Sequence, residues 1–242
     1  MSGSGPPLVM VHGAGSAHWS FDLVRPLVED RFTVWAVDRR GRGDSSDGDG
    51  YALEREFDDV AAVMREAGPD AVLFGHSYGA LVSVGAAARL DGLERLVLYE
   101  GPMGGVLADD AWIQRFESEL EAGERDRVVR DFMRDVGGYS DEDIAAMAAT
   151  PAWAKRLAVA HTVPRELRAE QELETADLHL AELAPTTLLL IGSESPDWAQ
   201  RSTEAFTAAI PGAELRWLAG HGHGAAVSGP DLVAAELLRF LA

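Results

Sequence analysis

Ala71-Val72-Leu73-Phe74-Gly75-His76-Ser77-Tyr78-Gly79-Ala80 passes from a short apolar run straight into a helix-forming one, through a serine with a glycine two residues to either side. Residues 71–74 are apolar throughout, as a strand buried on both faces requires, and residues 80–90 read as helix. A strand that bends into a helix this sharply drives its middle residue to positive φ. The residues two positions away then approach other backbone so closely that a Cβ has no room, which explains glycine at 75 and 79. The Ser77 hydroxyl is left exposed at a helix N-terminus, where the dipole favours developing negative charge. This is G-x-S-x-G in the strand–turn–helix setting that makes it a nucleophile elbow. An incidental glycine-rich helix start would not need the strand before it.

The same alternation extends in both directions. Apolar, β-rich runs recur at 8–11, 33–37, 95–99, 186–191 and 214–218. Helical stripes lie between or after them: Phe21, Val24 and Val28; Phe57, Val60, Ala61 and Met64; Leu232, Val233, Leu237 and Phe240. Strand–helix alternation predicts an α/β chain built on an open, mostly parallel sheet flanked by helices. It breaks once. From Gly101 to Leu183 no strand reads convincingly, only helical stretches rich in Ala, Glu and Arg, punctuated at Gly123, Gly137-Gly138, Pro151 and Pro164. An insertion placed after a strand end lies over the carboxyl edge of the sheet, where ligands bind. The expected organisation is a core over residues 1–102 and 184–242 with a helical cap over 103–183.

Composition narrows the function classes. A net charge of −19 argues against nucleic acid, and the cluster Arg39-Arg40-Gly41-Arg42 is offset by Asp38, Asp44, Asp47 and Asp49. With no cysteine, disulfides, thiolate metal sites and a cysteine nucleophile are excluded. The first residues lack a signal peptide's basic and apolar regions, and no apolar run approaches the roughly 20 residues that span a bilayer. A cytoplasmic protein acting on a small-molecule substrate, without a nucleic-acid or membrane partner, is the expectation. No metal is expected, because His221-x-His223 has no third ligand nearby. No dinucleotide cofactor is expected either: Gly13-Ala14-Gly15 runs on into Ala17 and His18, without the third glycine.

A nucleophilic hydroxyl needs a base. His223, in Gly220-His221-Gly222-His223, follows the last expected strand and precedes the last helix, so it lies at the same sheet edge as Ser77. His221 is its competitor. At this point the chain resembles the α/β-hydrolase family over almost its whole length. Val11-His12-Gly13-Ala14-Gly15 is similar to the family's H-G loop, and residues 38–45, Asp-Arg-Arg-Gly-Arg-Gly-Asp-Ser, to its D-x-R-G-x-G-x-S loop. Tyr99-Glu100-Gly101-Pro102 and Gly192-Ser193-Glu194-Ser195-Pro196 resemble steps of small bacterial hydrolases of this kind. His223 matches the family's G-x-G-H step before a helix-starting proline, here Pro230, which favours it over His221. The resemblance implies an oxyanion hole from the N–H groups of Ala14 and Tyr78, and no cofactor. One departure stands out: only seven residues precede Leu8, so about six strands are expected, with the family's N-terminal antiparallel strands lacking.

The acid that should orient His223 is less clear-cut. The family's usual aspartate position, after strand 186–191, is Ser195, with Glu194 and Asp197 nearby. Glu100 closes the apolar run 95–99, from which some family members draw the acid. A carboxylate there is costly to bury without a partner such as His223. Glu100 is therefore preferred, with Glu194 the alternative. Trp19, Met103, Trp112, Trp153, His161 and Trp198 are candidate pocket residues, with core packing an equal explanation for each. Together these features predict a serine hydrolase cleaving a carboxylic ester, lactone or thioester through an acyl-enzyme. A lyase, cyclase or carrier-bound thioesterase of the same fold is the alternative, and a non-catalytic ligand-binding protein a more distant one.

Overall fold

A computed structural model describes residues 1–183 and 185–242. Among them, β1 (Ser2–Gly3), β2 (Pro7–Val11), β3 (Thr33–Val37), β4 (Val72–His76), β5 (Arg95–Tyr99), β6 (Thr186–Gly192) and β7 (Glu214–Leu218) form one sheet in the order β1-β3-β2-β4-β5-β6-β7. All pairings but that of β1 are parallel. The central apolar runs become strands because alternate side chains fill two different cores. Val9, Val11, Leu73, Leu96 and Leu98 face one side, and Leu8, Met10, Phe74, Val97 and Tyr99 the other.

Helices α1 (Arg25–Val28), α2 (Leu53–Ala67) and α3 (Tyr78–Ala87) follow β2, β3 and β4 in turn. Between β5 and β6 lie α4 (Asp110–Glu121), α5 (Arg125–Asp135), α6 (Asp141–Ala148), α7 (Ala152–Val159) and α8 (Val163–Glu172), with no strand among the described residues there. After β6 comes α9 (Asp197–Ala209), and after β7 come α10 (Ala225–Ser228) and α11 (Pro230–Leu241). Helices α2, α3 and α9 cover one face of the sheet, while α1, α10 and α11 cover the other. The helical insertion shares the first core through Ile113, Phe116, Val163 and Leu167, and adds a small cluster of its own around Val129, Met133, Ile144 and Trp153. Residue 184, where the core is expected to resume, lies outside the described residues.

The sheet has seven strands where about six were expected, and an antiparallel strand is present rather than lacking. Ser2 and Gly3 pair antiparallel with Val34 and Thr33 at the sheet edge. Two residues are too few to show alternation. Gly3 and Gly5, at φ +93° and +114°, let the chain double back against the backbone of Glu29, Arg31 and Phe32 before β2 begins.

Because β2 is flanked by β3 on one side and β4 on the other, successive crossovers leave in opposite directions and open a crevice at the carboxyl ends of β2 and β4. The H-G loop and Ser77 follow those two ends.

A buried ionic cluster ties the insertion to the core. Arg39 and Arg42 are buried, and their partners are distant in sequence rather than the neighbouring aspartates. Arg39 Nε lies 2.9 Å from Glu56 Oε2 on α2, and its Nη2 donates to Glu166 Oε1 on α8. Arg42 Nη2 lies 2.6 Å from the same Glu166 oxygen. Burial works against the charge of both guanidiniums. For Arg39 the facing Glu56 carboxylate outweighs it and the pKa rises; for Arg42 burial and the like charge of Arg39 prevail, and the pKa falls to about 9. Removing Glu166 would leave two buried cations sharing one carboxylate. Glu166→Ala is expected to lower unfolding free energy by about 3–5 kcal/mol, read from urea denaturation, and a loss under about 1 kcal/mol would contradict this account.

Candidate active site

Ser77 sits at φ 56° and ψ −130° between β4 and α3. The flanking glycines are sterically required: a Cβ on Gly75 would lie 2.5 Å from Gly79 O, and one on Gly79 2.2 Å from Val11 O. The strained residue is held by its N–H, which donates to Tyr99 O at 2.8 Å. Tyr78 is the first residue of α3, so its N–H has no carbonyl one turn back to bond. The H-G loop presses on the serine from the other side, since a Cβ on Gly13 would come 2.8 Å from Ser77 Cβ and 3.2 Å from its Oγ. The Ala14 N–H has no acceptor among the described residues, and Ala14 and Ser77 line one cavity. His12 is an anchor for this loop. Its Nδ1 meets Gly13 O at 2.8 Å while Nε2 accepts from the Arg39 N–H at 3.2 Å, and burial keeps it neutral.

His223 Nδ1 lies 2.6 Å from Glu100 Oε2. The Glu100 carboxylate is buried, and its other oxygen accepts from Gly192 N–H at 2.7 Å and from the Ser195 hydroxyl. Glu100 itself is at φ 49°, a strained conformation for a side-chain-bearing residue and the second such residue at a strand end beside the cavity. With a carboxylate on Nδ1, the hydrogen of a neutral ring sits on Nδ1 and leaves Nε2 as the free base. The loop carrying the ring is clamped in turn. The Tyr99 hydroxyl donates to Gly222 O and accepts from Ala225 N–H at 3.2 Å. His76 Nε2 meets His223 O at 2.9 Å. Burial and the neighbouring His223 ring bring the His76 pKa down to about 3, so at pH 7 it is neutral and donates. Trp198 stands edge-on to His223, with centroids 5.1 Å apart.

Ser77 and His223 line the same cavity of about 60 Å³, room for a few water molecules. No hydrogen bond joins the hydroxyl to the ring among the described residues. Glu194 is exposed and its side chain makes no hydrogen bond among the described residues, while His221 Nδ1 lies 3.0 Å from Ser228 Oγ. The six aromatic, Met and His candidates do not line the cavity. Trp198 backs His223 and donates to Val136 O at 2.7 Å; Trp19 lies beneath the Arg156 guanidinium. Trp153 is buried in the insertion and donates to Asp126 at 2.7 Å. Met103 and Trp112 pack against the main core, and His161 is exposed with Nδ1 3.1 Å from Ala158 O. The walls come instead from Leu107, Phe132, Met133, Val136, Tyr139 and Arg156. No motif marks these. For Ser195 a signal existed: it stands where the family resemblance expects an aspartate, and its hydroxyl donates to Glu100.

A model of the alpha/beta hydrolase family matches residues 8–236. The chain is 42% identical over 98 residues to 2-(acetamidomethylene)succinate hydrolase of Mesorhizobium japonicum, covering 40% of this chain and 35% of that one. It is 28% identical over 259 aligned positions to pimeloyl-[acyl-carrier protein] methyl ester esterase of Stenotrophomonas maltophilia, covering 100% and 95%. A crystal structure of an alpha/beta hydrolase from Sphaerobacter thermophilus is similar at TM-score 0.83 and 34% identity, covering 100% of this chain and 94% of that one.

Proposed function

The chain belongs to the alpha/beta hydrolase family, and from that premise we propose that it is a serine hydrolase cleaving a carboxylic ester, lactone or thioester of a small molecule. The observation that carries the reading is the 2.6 Å contact between His223 Nδ1 and a buried Glu100 carboxylate, behind a ring that shares its cavity with Ser77. Glu100 orients the imidazole, keeps Nε2 free and stabilises the imidazolium that forms. Ser77 Oγ attacks the carbonyl as His223 Nε2 takes its proton. To do so the hydroxyl turns toward the ring, a hydrogen bond that in ligand-free sites often closes only with substrate present. The oxyanion is received by the N–H groups of Ala14 and Tyr78, each worth about 3 kcal/mol to the transition state. His223 then protonates the leaving group, and water resolves the acyl-enzyme by the same steps in reverse.

In this reading residues 103–183 act as the cap that walls the cavity, and no cofactor takes part. Labelling with a fluorophosphonate tests the assignment. One adduct per chain is expected, found by mass spectrometry on the peptide carrying Ser77. Active protein that remains unmodified there would end the reading.

A further inference from the structure

Arg156, on α7, is the one arginine or lysine in the cavity lining, which contains no aspartate or glutamate. Its guanidinium lies 4.9 Å over the Trp19 ring, and among the described residues it has no carboxylate partner and no hydrogen-bond acceptor. It is half-buried, and burial lowers its pKa, opposed only by the Tyr139 phenol. Other sequestered arginines are not left so: Arg39, Arg42, Arg165 and Arg216 are each paired with a carboxylate. Two further residues that carry hydroxyls, Ser16 and Tyr139, line the same space. Ser16 Oγ is buried with no partner, and the Tyr139 hydroxyl, packed against Gly224, has none among the described residues. A guanidinium without a carboxylate partner, with two hydroxyl residues beside it in a narrow cavity that no aspartate or glutamate lines, suits a bound anion.

We infer that the substrate carries a carboxylate, and that Arg156 binds it with Ser16 and Tyr139 as flanking donors. A single guanidinium matches the one negative charge of a carboxylate group better than the two of a phosphate dianion. The substrate class is then a short acid-bearing ester, lactone or thioester, such as the half-ester of a dicarboxylic acid. The scissile bond in this statement rests on the serine-hydrolase reading; the anion site does not.

Calorimetry with succinate, glutarate and adipate on the wild type, Ser77→Ala and Arg156→Met tests the site apart from the chemistry. Binding of the best diacid is expected in the first two and about 30-fold weaker in Arg156→Met, with Arg156→Lys partly restored and Ser16→Ala intermediate. The lysine and Ser16 variants keep the test decisive if truncation of Arg156 disturbs α7. In turnover, the ratio of kcat/KM for monomethyl glutarate over methyl pentanoate is expected to fall about 30-fold in Arg156→Met. Equal diacid binding by the wild type and Arg156→Met, or tighter binding of inorganic phosphate than of any diacid, would overturn the inference even if Ser77 labels. Arginine-dependent diacid binding without Ser77 labelling would uphold the site and sink the hydrolase reading instead.

Discussion

Ser77→Ala is expected to lower kcat on p-nitrophenyl butyrate by about 10⁶-fold, the scale seen when a nucleophile is deleted from a serine–histidine–acid unit. The variant should fold, because the Ser77 hydroxyl makes no hydrogen bond among the described residues. The features that hold the elbow are backbone: the Ser77 N–H to Tyr99 O bond and the close approach of Gly75 to Gly79. Alanine must still adopt φ 56°, a cost serine already bears. Substrate affinity should change little, since the cavity walls and the N–H groups of Ala14 and Tyr78 remain. Residual catalysis from those donors is expected at about 10³-fold over water. Turnover within tenfold of wild type would show that another group attacks.

Glu100→Gln should lower kcat by about 10⁴-fold, and Glu194→Gln, measured beside it, by less than about threefold. The loss is tautomeric. The Gln amide can keep an oxygen toward Gly192 N–H, so the backbone stays in place, but its NH2 then faces His223 Nδ1. That donor stabilises the imidazole with Nδ1 unprotonated and its hydrogen on Nε2, where it cannot accept a proton from Ser77. The imidazolium also loses its counter-charge. Glu194 is exposed and makes no hydrogen bond with the ring among the described residues, so neutralising it should leave the ring's tautomer unchanged. The opposite ranking would move the acid to the loop after β6 and leave the buried Glu100 without a role.

Local chemistry alone was enough for the frame. The elbow at 75–79, the six longer strands and the break in alternation after Gly101 are legible because each depends on residues a few positions apart: a Cβ that cannot fit, a two-residue alternation, a helical stripe. The two-residue β1 escaped because it is shorter than any period. His223 was readable as a residue near Ser77, since both follow carboxyl ends of parallel strands. Ser195, standing where the family resemblance expects an aspartate, is the sequence feature that favours Glu100 as the acid.

What the chain order could not supply was partnership across long separations. Glu100 rather than Glu194 meets the ring: at φ 49°, its carboxylate is where Gly192, Ser195 and His223 converge from elements far apart in sequence. Glu166 reaches Arg39 and Arg42 only once α8 has docked, and the cavity walls at Phe132, Val136 and Arg156 exist only where α5 and α7 close over the sheet. An amphipathic pattern tells a helix which face to bury, not what to bury it against. That choice is made by three-dimensional packing, and here it decided both which carboxylate meets His223 and the charge of the pocket.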